Sequence, residues 1–284
     1  MVSVHIAEGK PRQRLLRVAS KVACIFKLES LIAHSFILLA MFFSLTSGAT
    51  EPKEVSFFTY HQKPPYYFPD ESHKKKQDHI SLYQSFIDLI NKAQSNYRIS
   101  LKFVPRVRLE NDLNSHDLDG AIIGVHPIWF KDKAKLKYLW SEPFMEDKDV
   151  IVVKSGKEFP YVSPSDLEGR TLSLSRGQYY WGVTERISEG KIKEYPTDSE
   201  LQNLSMVAYN RADATIISEL TATYFFNHEF SHLWFSVLDK PHDQFTRKVL
   251  FPKYLSNIFS SLNPTIEKVS NSQEWKTILD SWKK

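Results

Sequence analysis

The scarcities in this sequence narrow its reading most. Cysteine occurs once in 284 residues, at Cys24, which excludes a disulfide framework and any Cys-rich zinc or iron–sulfur site. Glycine occurs only nine times, and no Gly-rich phosphate loop, nucleophile elbow or kinase signature is found. A single stretch is long and apolar and mean hydropathy is -0.35, which excludes a multi-span membrane protein. Repeats of 20–50 residues and low-complexity tracts are absent apart from the short run Lys74-Lys75-Lys76, read as a solvated turn. Hydrophobic residues (42%) and charged residues (25%) are present in ordinary globular proportion, enough for one large domain or two modest lobes.

The apolar stretch, residues 35–45, follows a basic region holding Lys10, Arg12, Arg14, Arg17, Lys21 and Lys27 against Glu8 and Glu29. Small residues follow it, with Ser47 and Ala49 spaced as a signal-peptidase pair, so residues 1–49 read as a secretory signal cut after Ala49. A membrane anchor is the alternative, but the run is shorter than the ~20 residues that span a bilayer. The leader removes six of the 37 basic residues and two of the 33 acidic ones, leaving 31 of each. A mature chain without net charge lacks the basic excess of a nucleic-acid binder. It also has no cysteine, which suits an oxidising compartment. The expected location is the periplasm.

Along the mature chain, strand-like runs alternate with helix-like ones. Strands are expected at residues 55–60, 99–104, 120–124, 150–153, 171–174, 214–217 and 233–238. Helices are expected at 80–93, 109–118, 198–209, 218–227, 253–269 and 273–282, with a capped turn at 163–170. This alternation indicates an α/β fold with mostly parallel sheets.

Two segments share a theme: Leu118-Asp119-Gly120-Ala121-Ile122-Ile123-Gly124 and Arg211-Ala212-Asp213-Ala214-Thr215-Ile216-Ile217. Between them lie Trp140-Ser141-Glu142-Pro143-Phe144 and the segment from Asp166 to Gly177, Asp-Leu-Glu-Gly-Arg-Thr-Leu-Ser-Leu-Ser-Arg-Gly. This order resembles the family 3 extracellular solute-binding proteins, receptors of polar amino-acid ABC importers, over nearly all of residues 54–284. The resemblance implies a two-lobe, periplasmic-binding-protein-like type II fold with a central cleft. Carried over, lobe 1 comprises residues 50–145 plus 240–284 and lobe 2 residues 146–239. The hinge strands fall near 144–150 and 237–242. Lobes of this class close around a small solute like a hinge. The implied partners are a small polar solute and an ABC-transporter permease, or a sensor kinase in its place. No cofactor is implied, and the protein is read as a non-enzymatic monomer.

The ligand-reading positions depart from that family. Its carboxylate-clamping Arg, in a Thr-x-x-Arg pattern after the first motif, has no counterpart; the region reads His126-Pro-Ile-Trp129-Phe-Lys131-Asp-Lys133. Lysine is a point charge and not a planar fork, so Lys133, a ligand-binding candidate in this region, is not a conservative replacement. The small hydroxyl pair of lobe 2 becomes Gln178-Tyr179, and the Asp that meets an α-ammonium group falls on Ser218, with Glu219 adjacent. Tyr66, after Pro65, and nearby Tyr60 are candidates for an aromatic cleft wall, or else for core packing. Arg106 and Arg108 follow a strand at its C-terminal end, where ligands collect in open α/β sheets; as alternating residues one of them faces solvent, and Arg108 is the chosen candidate. His126 and Trp129 stand at the equivalent mouth after Gly124, and Arg176, Gln178 and Tyr179 follow the strand of lobe 2. Asp119 and Asp213 are read as structural.

One motif points elsewhere. His228-Glu229-Phe230-Ser231-His232 satisfies H-E-x-x-H, which on a helix places two imidazoles on one face for zinc with Glu as base. The extended form fails at Phe235 and Leu238, and the helix is expected to end near Asn227. A zinc hydrolase or a cleft enzyme of the same fold is therefore the rival reading.

Overall fold

Strand periodicity and helix caps account for most of the architecture. A computed structural model describes residues 51–68, 80–230 and 234–283, and all elements lie in the compact unit Pro52–Lys284. The expected signal segment lies outside the described residues, as do the Lys74–76 run and His232. In chain order the elements are β1 (Lys53–Thr59), α1 (Leu82–Ala93), β2 (Tyr97–Phe103), α2 (Arg106–Ser115), β3 (Gly120–Val125), β4 (Leu139–Trp140), β5 (Met145–Lys154) and β6 (Thr171–Ser175). They continue with α3 (Val183–Ser188), β7 (Lys193–Thr197), α4 (Glu200–Ala208), β8 (Ala214–Ser218), α5 (Glu219–His228), β9 (Phe235–Val237), β10 (Asp243–Phe251), α6 (Ser256–Ser270) and α7 (Gln273–Ser281). The helices start where the sequence offers a cap: the hydroxyls of Ser81, Ser199 and Ser272 accept from the backbone N–H of Gln84, Gln202 and Trp275.

The strands run in the order β2-β1-β3-β10-β5-β8-β6-β7, with β4 on β10 and β9 on β5. The outer strands on each side pair in parallel, β1 with β2 and β3, and β6 with β7 and β8. The two central strands are antiparallel and each serves both sides. Val249 and Leu250 of β10 pair with Ile123 and Ile122 of β3, while its segment from Asp243 to Arg247 pairs with β5. The segment of β5 from Met145 to Asp149 meets β10, and from Asp149 to Val153 it meets β8.

Strand residues alternate between faces, so each half of the sheet builds two cores. In the first half Val55, Phe57, Ala121, Ile123, Val249 and Phe251 bury against α1, α6 and α7; Phe58, Ile122 and Leu250 bury on the opposite face with Leu109, Leu113 and Phe130. In the second half Val150, Val152 and Ile217 pack with α4 and α5, whereas Ile151, Val153, Ala214 and Ile216 pack with Leu167, Tyr180 and Val183. Trp275, fully buried, locks α7 to the crossing by donating from Nε1 to the Phe144 carbonyl at 2.5 Å. Among the described residues no helix is long and apolar enough to cross a membrane.

Several elements differ from expectation. Pro105 stands at the N-cap of α2, its φ of -54° compatible with a helix start, so the helix begins three residues earlier than residue 109. β5 runs without a break from Met145, joining the expected crossing strand at 144–150 to the expected strand at 150–153, whereas β10, β7, β4 and α3 were not expected. The second crossing segment lies at Asp243–Arg247 and not at 237–242. A nine-residue strand carrying Arg247 and Lys248 does not read as buried until its partners are visible.

Candidate functional site

The polar groups concentrate where β5 and β10 cross. Asp147 and Arg247, inward-facing on neighbouring strands, form an ion pair with side-chain exposures of 1% and 2%. Arg247 donates to Asp147 Oδ2 from Nη2 at 2.6 Å and from Nε at 2.7 Å, and its Nη1 donates to the Gly124 carbonyl at 2.8 Å. Isolated buried charges are untenable, and this pair is neutralised and hydrogen-bonded on both sides. Tyr66, fully buried, places its ring under the guanidinium, 4.4 Å from Cζ to the ring centroid, and donates from Oη to Asp147 Oδ2 at 2.6 Å. Ser218, the last residue of β8, lies 2.5 Å from the same Tyr66 oxygen.

His61 and Tyr83 complete the cluster. His61 Nε2 is 3.3 Å from Arg247 Nη1 and its Nδ1 is 3.3 Å from Tyr83 Oη. Burial, then the positive field of Arg247, holds the His61 pKa well below the usual imidazole range, so the ring is neutral at physiological pH. Burial and then the Asp147 carboxylate push the Tyr66 hydroxyl well up, which keeps it a donor. Gly124 has φ +83°, and a Cβ there would lie 2.0 Å from Tyr83 Oη. Only glycine permits this approach.

A second set of polar groups lines the junction beside this cluster. Asp149 occupies the residue at which β5 changes partners, paired with Asp243 on one side and Ser218 on the other. Burial, reinforced by Asp147 and Glu200 and opposed by Lys63 and Arg247, raises its carboxyl to about 7. Lys63 reaches Glu200 at 3.1 Å, and Asn203 donates to the other Glu200 oxygen at 3.1 Å. Thr221 donates to the Pro64 carbonyl at 2.7 Å.

The sequence candidates divide into two groups. Tyr66 and Ser218 sit in the charged cluster, and Trp129 borders it, with Arg247 5.6 Å from its ring centroid. The Tyr60 ring lies tilted against His61, 4.3 Å between centroids, with Arg106 over its ring at 5.1 Å. His126 is half-buried, 5.9 Å from the Trp129 ring, and burial lowers its pKa. Arg108 lies on the solvent face of α2, 76% exposed and 3.8 Å from Asp112. Lys133 and Gln178 are exposed, Arg176 pairs with Asp198 at 3.1 Å, and Tyr179, 58% exposed, donates to Glu185 at 2.7 Å. Glu219 meets Lys148 at 2.7 Å. Asp213 accepts from the Thr171 N–H at 2.7 Å, joining β8 to β6.

Sequence reasoning missed His61, Lys63, Tyr83, Asp147, Asp149, Glu200, Thr221 and Arg247. One signal was available for two of them: Asp147 and Asp149 alternate on one face of a strand that continues into the apolar run beginning at Val150. The H-E-x-x-H match does not lie on one helix, because α5 ends at His228. The His228 ring stacks on Tyr224 at 4.3 Å and its Nδ1 lies 2.7 Å from the Tyr224 carbonyl. Among the described residues no group of three or more His, Cys, Asp or Glu side chains is placed to hold a metal ion.

No family model matches the chain. An ancestral arginine-binding protein bound to arginine superposes with a TM-score of 0.63 at 16% identity, covering 82% of this chain and 99% of that one. The chain has the two-lobe fold of the periplasmic amino-acid-binding proteins. The substrate-binding protein of an amino acid ABC transporter shares this binding-protein fold, with a TM-score of 0.59 at 17% identity over 81% of this chain and 98% of that one. Virulence sensor protein BvgS of Bordetella pertussis strain Tohama I is 26% identical over 170 residues. That match covers 59% of this chain and only 13% of BvgS, so the chain spans a small part of that relative's length. The VFT2 domain of BvgS, as a double mutant, shares the binding-protein fold with a TM-score of 0.59 and 20% identity, over 81% of this chain and 93% of that one.

Proposed function

We propose that the protein is a non-enzymatic receptor that holds one small polar solute between two lobes. Lobe 1 is residues 50–145 with 240–284, and lobe 2 is residues 146–239. The observation that carries this reading is the polar junction at the strand crossing: Lys63 bonds Glu200 and Thr221 bonds the Pro64 carbonyl, beside Asp149, where the two halves of the sheet come together. Such sites bury a solute between rigid bodies and read it with a few polar groups. A clamped α-carboxylate fits poorly. Arg247 is engaged by Asp147 and Gly124, and Arg106 by Glu110 and the Trp129 carbonyl, so neither presents an open fork.

Export by cleavage after Ala49 into the periplasm belongs to the same reading. The ABC-transporter neighbour supports delivery to a permease, and the BvgS match supports presentation of the solute to a sensor kinase. The test is a thermal-melt screen against amino acids, small carboxylates and polyamines, run beside a zinc assay. A solute at a hundred times its Kd adds about 2.7 kcal/mol, which in a domain of this size raises Tm by about 5–10 °C. A solute that shifts Tm and is recovered unchanged supports the receptor. Stoichiometric zinc with peptidase activity, or a solute recovered transformed, overturns it.

A further inference from the structure

The loop between β1 and α1 sends four bonds from the first half of the molecule into the second. Lys63 Nζ meets Glu200 Oε1 at 3.1 Å, with side-chain exposures of 12% and 7%. The Pro64 carbonyl accepts from Thr221 Oγ1 at 2.7 Å. Tyr66, packed in the core of the first half, bonds Asp147 and Ser218. Glu200 is already held for this contact, because Asn203 donates to its second oxygen and Thr197 Oγ1 donates to Asn203 Oδ1 at 2.6 Å. These are side-chain and loop contacts and not bonds of a strand ladder, although Asp147 stands on β5 and Ser218 on β8, so parting along β5 and β10 would break them and leave the ladders intact. Parting exposes Lys63 and Glu200 to water, and reclosing must desolvate both again. Such a pair is suited to a contact that is made when halves meet and hydrated when they separate.

We propose that residues 63–66 act as a built-in latch that holds the two halves together when no solute is bound. A solute entering the junction then competes with Lys63 for Glu200 and with Pro64 for Thr221. That competition rests on the receptor reading; the latch itself does not.

The mature chain has no cysteine, so spin labels can be placed at will. Labels at Lys133→Cys in the first half and Lys193→Cys in the second, both exposed, report the separation of the halves. The protein is stripped of any solute by unfolding and refolding, and its label-to-label distances are measured by pulsed electron resonance. The latch predicts one narrow, short-distance population in the solute-free protein. Lys63→Met with Thr221→Val shifts it to longer distances, and the exchange Lys63→Glu with Glu200→Lys moves it back toward the short one. A solute-free protein already at long distances, or a folded double variant indistinguishable from the parent, overturns the latch. Should the double variant not fold, the parent's distribution alone decides. Failure to find any solute bears on the receptor and leaves this measurement intact.

Discussion

Replacing Asp149 by Asn removes a carboxyl that the fold keeps protonated well above the usual carboxylate range. Its pKa is raised from 3.8 to about 7, chiefly by burial. Between those values the native protein keeps a proton that the unfolded chain releases, so stability falls as pH rises through that window. Each unit of displacement is worth 1.36 kcal/mol, which gives a ceiling of about 4 kcal/mol at pH 8. Asp149 retains some contact with solvent and faces Lys63, so about 2 kcal/mol is the expected size. Urea unfolding of both proteins at each pH from 4 to 8 reads the difference directly, since all other titrating groups are shared. At pH 4 the two should agree within about 1 kcal/mol, because both side chains are then neutral. At pH 8 the Asn variant should be the more stable by about 2 kcal/mol. A difference independent of pH, or an Asn variant that loses stability as pH rises, refutes the reasoning; the second result would mean that attraction to Lys63 outweighs burial.

Arg247→Met strands the Asp147 carboxylate in the core and should cost about 3–5 kcal/mol, read by urea unfolding, whereas Arg247→Met with Asp147→Leu should recover part of that loss. Gly124→Ala forces a Cβ onto Tyr83 at a φ of +83° and should lower Tm by several degrees, while Gly156→Ala, at a similar φ with open space around it, should cost less. Arg108→Ala touches only an exposed pair with Asp112 and should change stability by less than about 0.5 kcal/mol.

The strands whose two faces are both apolar were legible in the sequence. Runs such as Gly120–Val125 and Ala214–Ser218 are buried throughout, so their short apolar runs announced them and, with the helices between, the α/β class; the two-lobe arrangement came from the family resemblance. The helix over residues 82–93 was legible from the helical spacing of Leu82, Phe86, Leu89 and Ile90. β10 was not, because Arg247 and Lys248 in its middle read as surface until Asp147 and the Ser141 carbonyl are placed opposite them. The site suffered most from this. Tyr66 and Ser218 announce themselves by motif position, but Lys63, Glu200 and Asp149 come together only through contacts between residues far apart in the chain, and no local pattern encodes such a meeting. Arg108 was misleading because Pro105, which ends a strand, also starts a helix, and that helix turns Arg108 to solvent.

The most direct test of a receptor that encloses its guest is calorimetric titration of the solute that raises Tm, against the parent protein and against Ser218→Trp. Ser218 is fully buried at the junction and bonded to Tyr66 and Asp147, and an indole there would push the two halves apart at that point. The account predicts one site per chain in the parent, with solute recovered intact, and no measurable heat in a folded Ser218→Trp variant. Equal binding by both proteins would place the solute elsewhere and contradict the account.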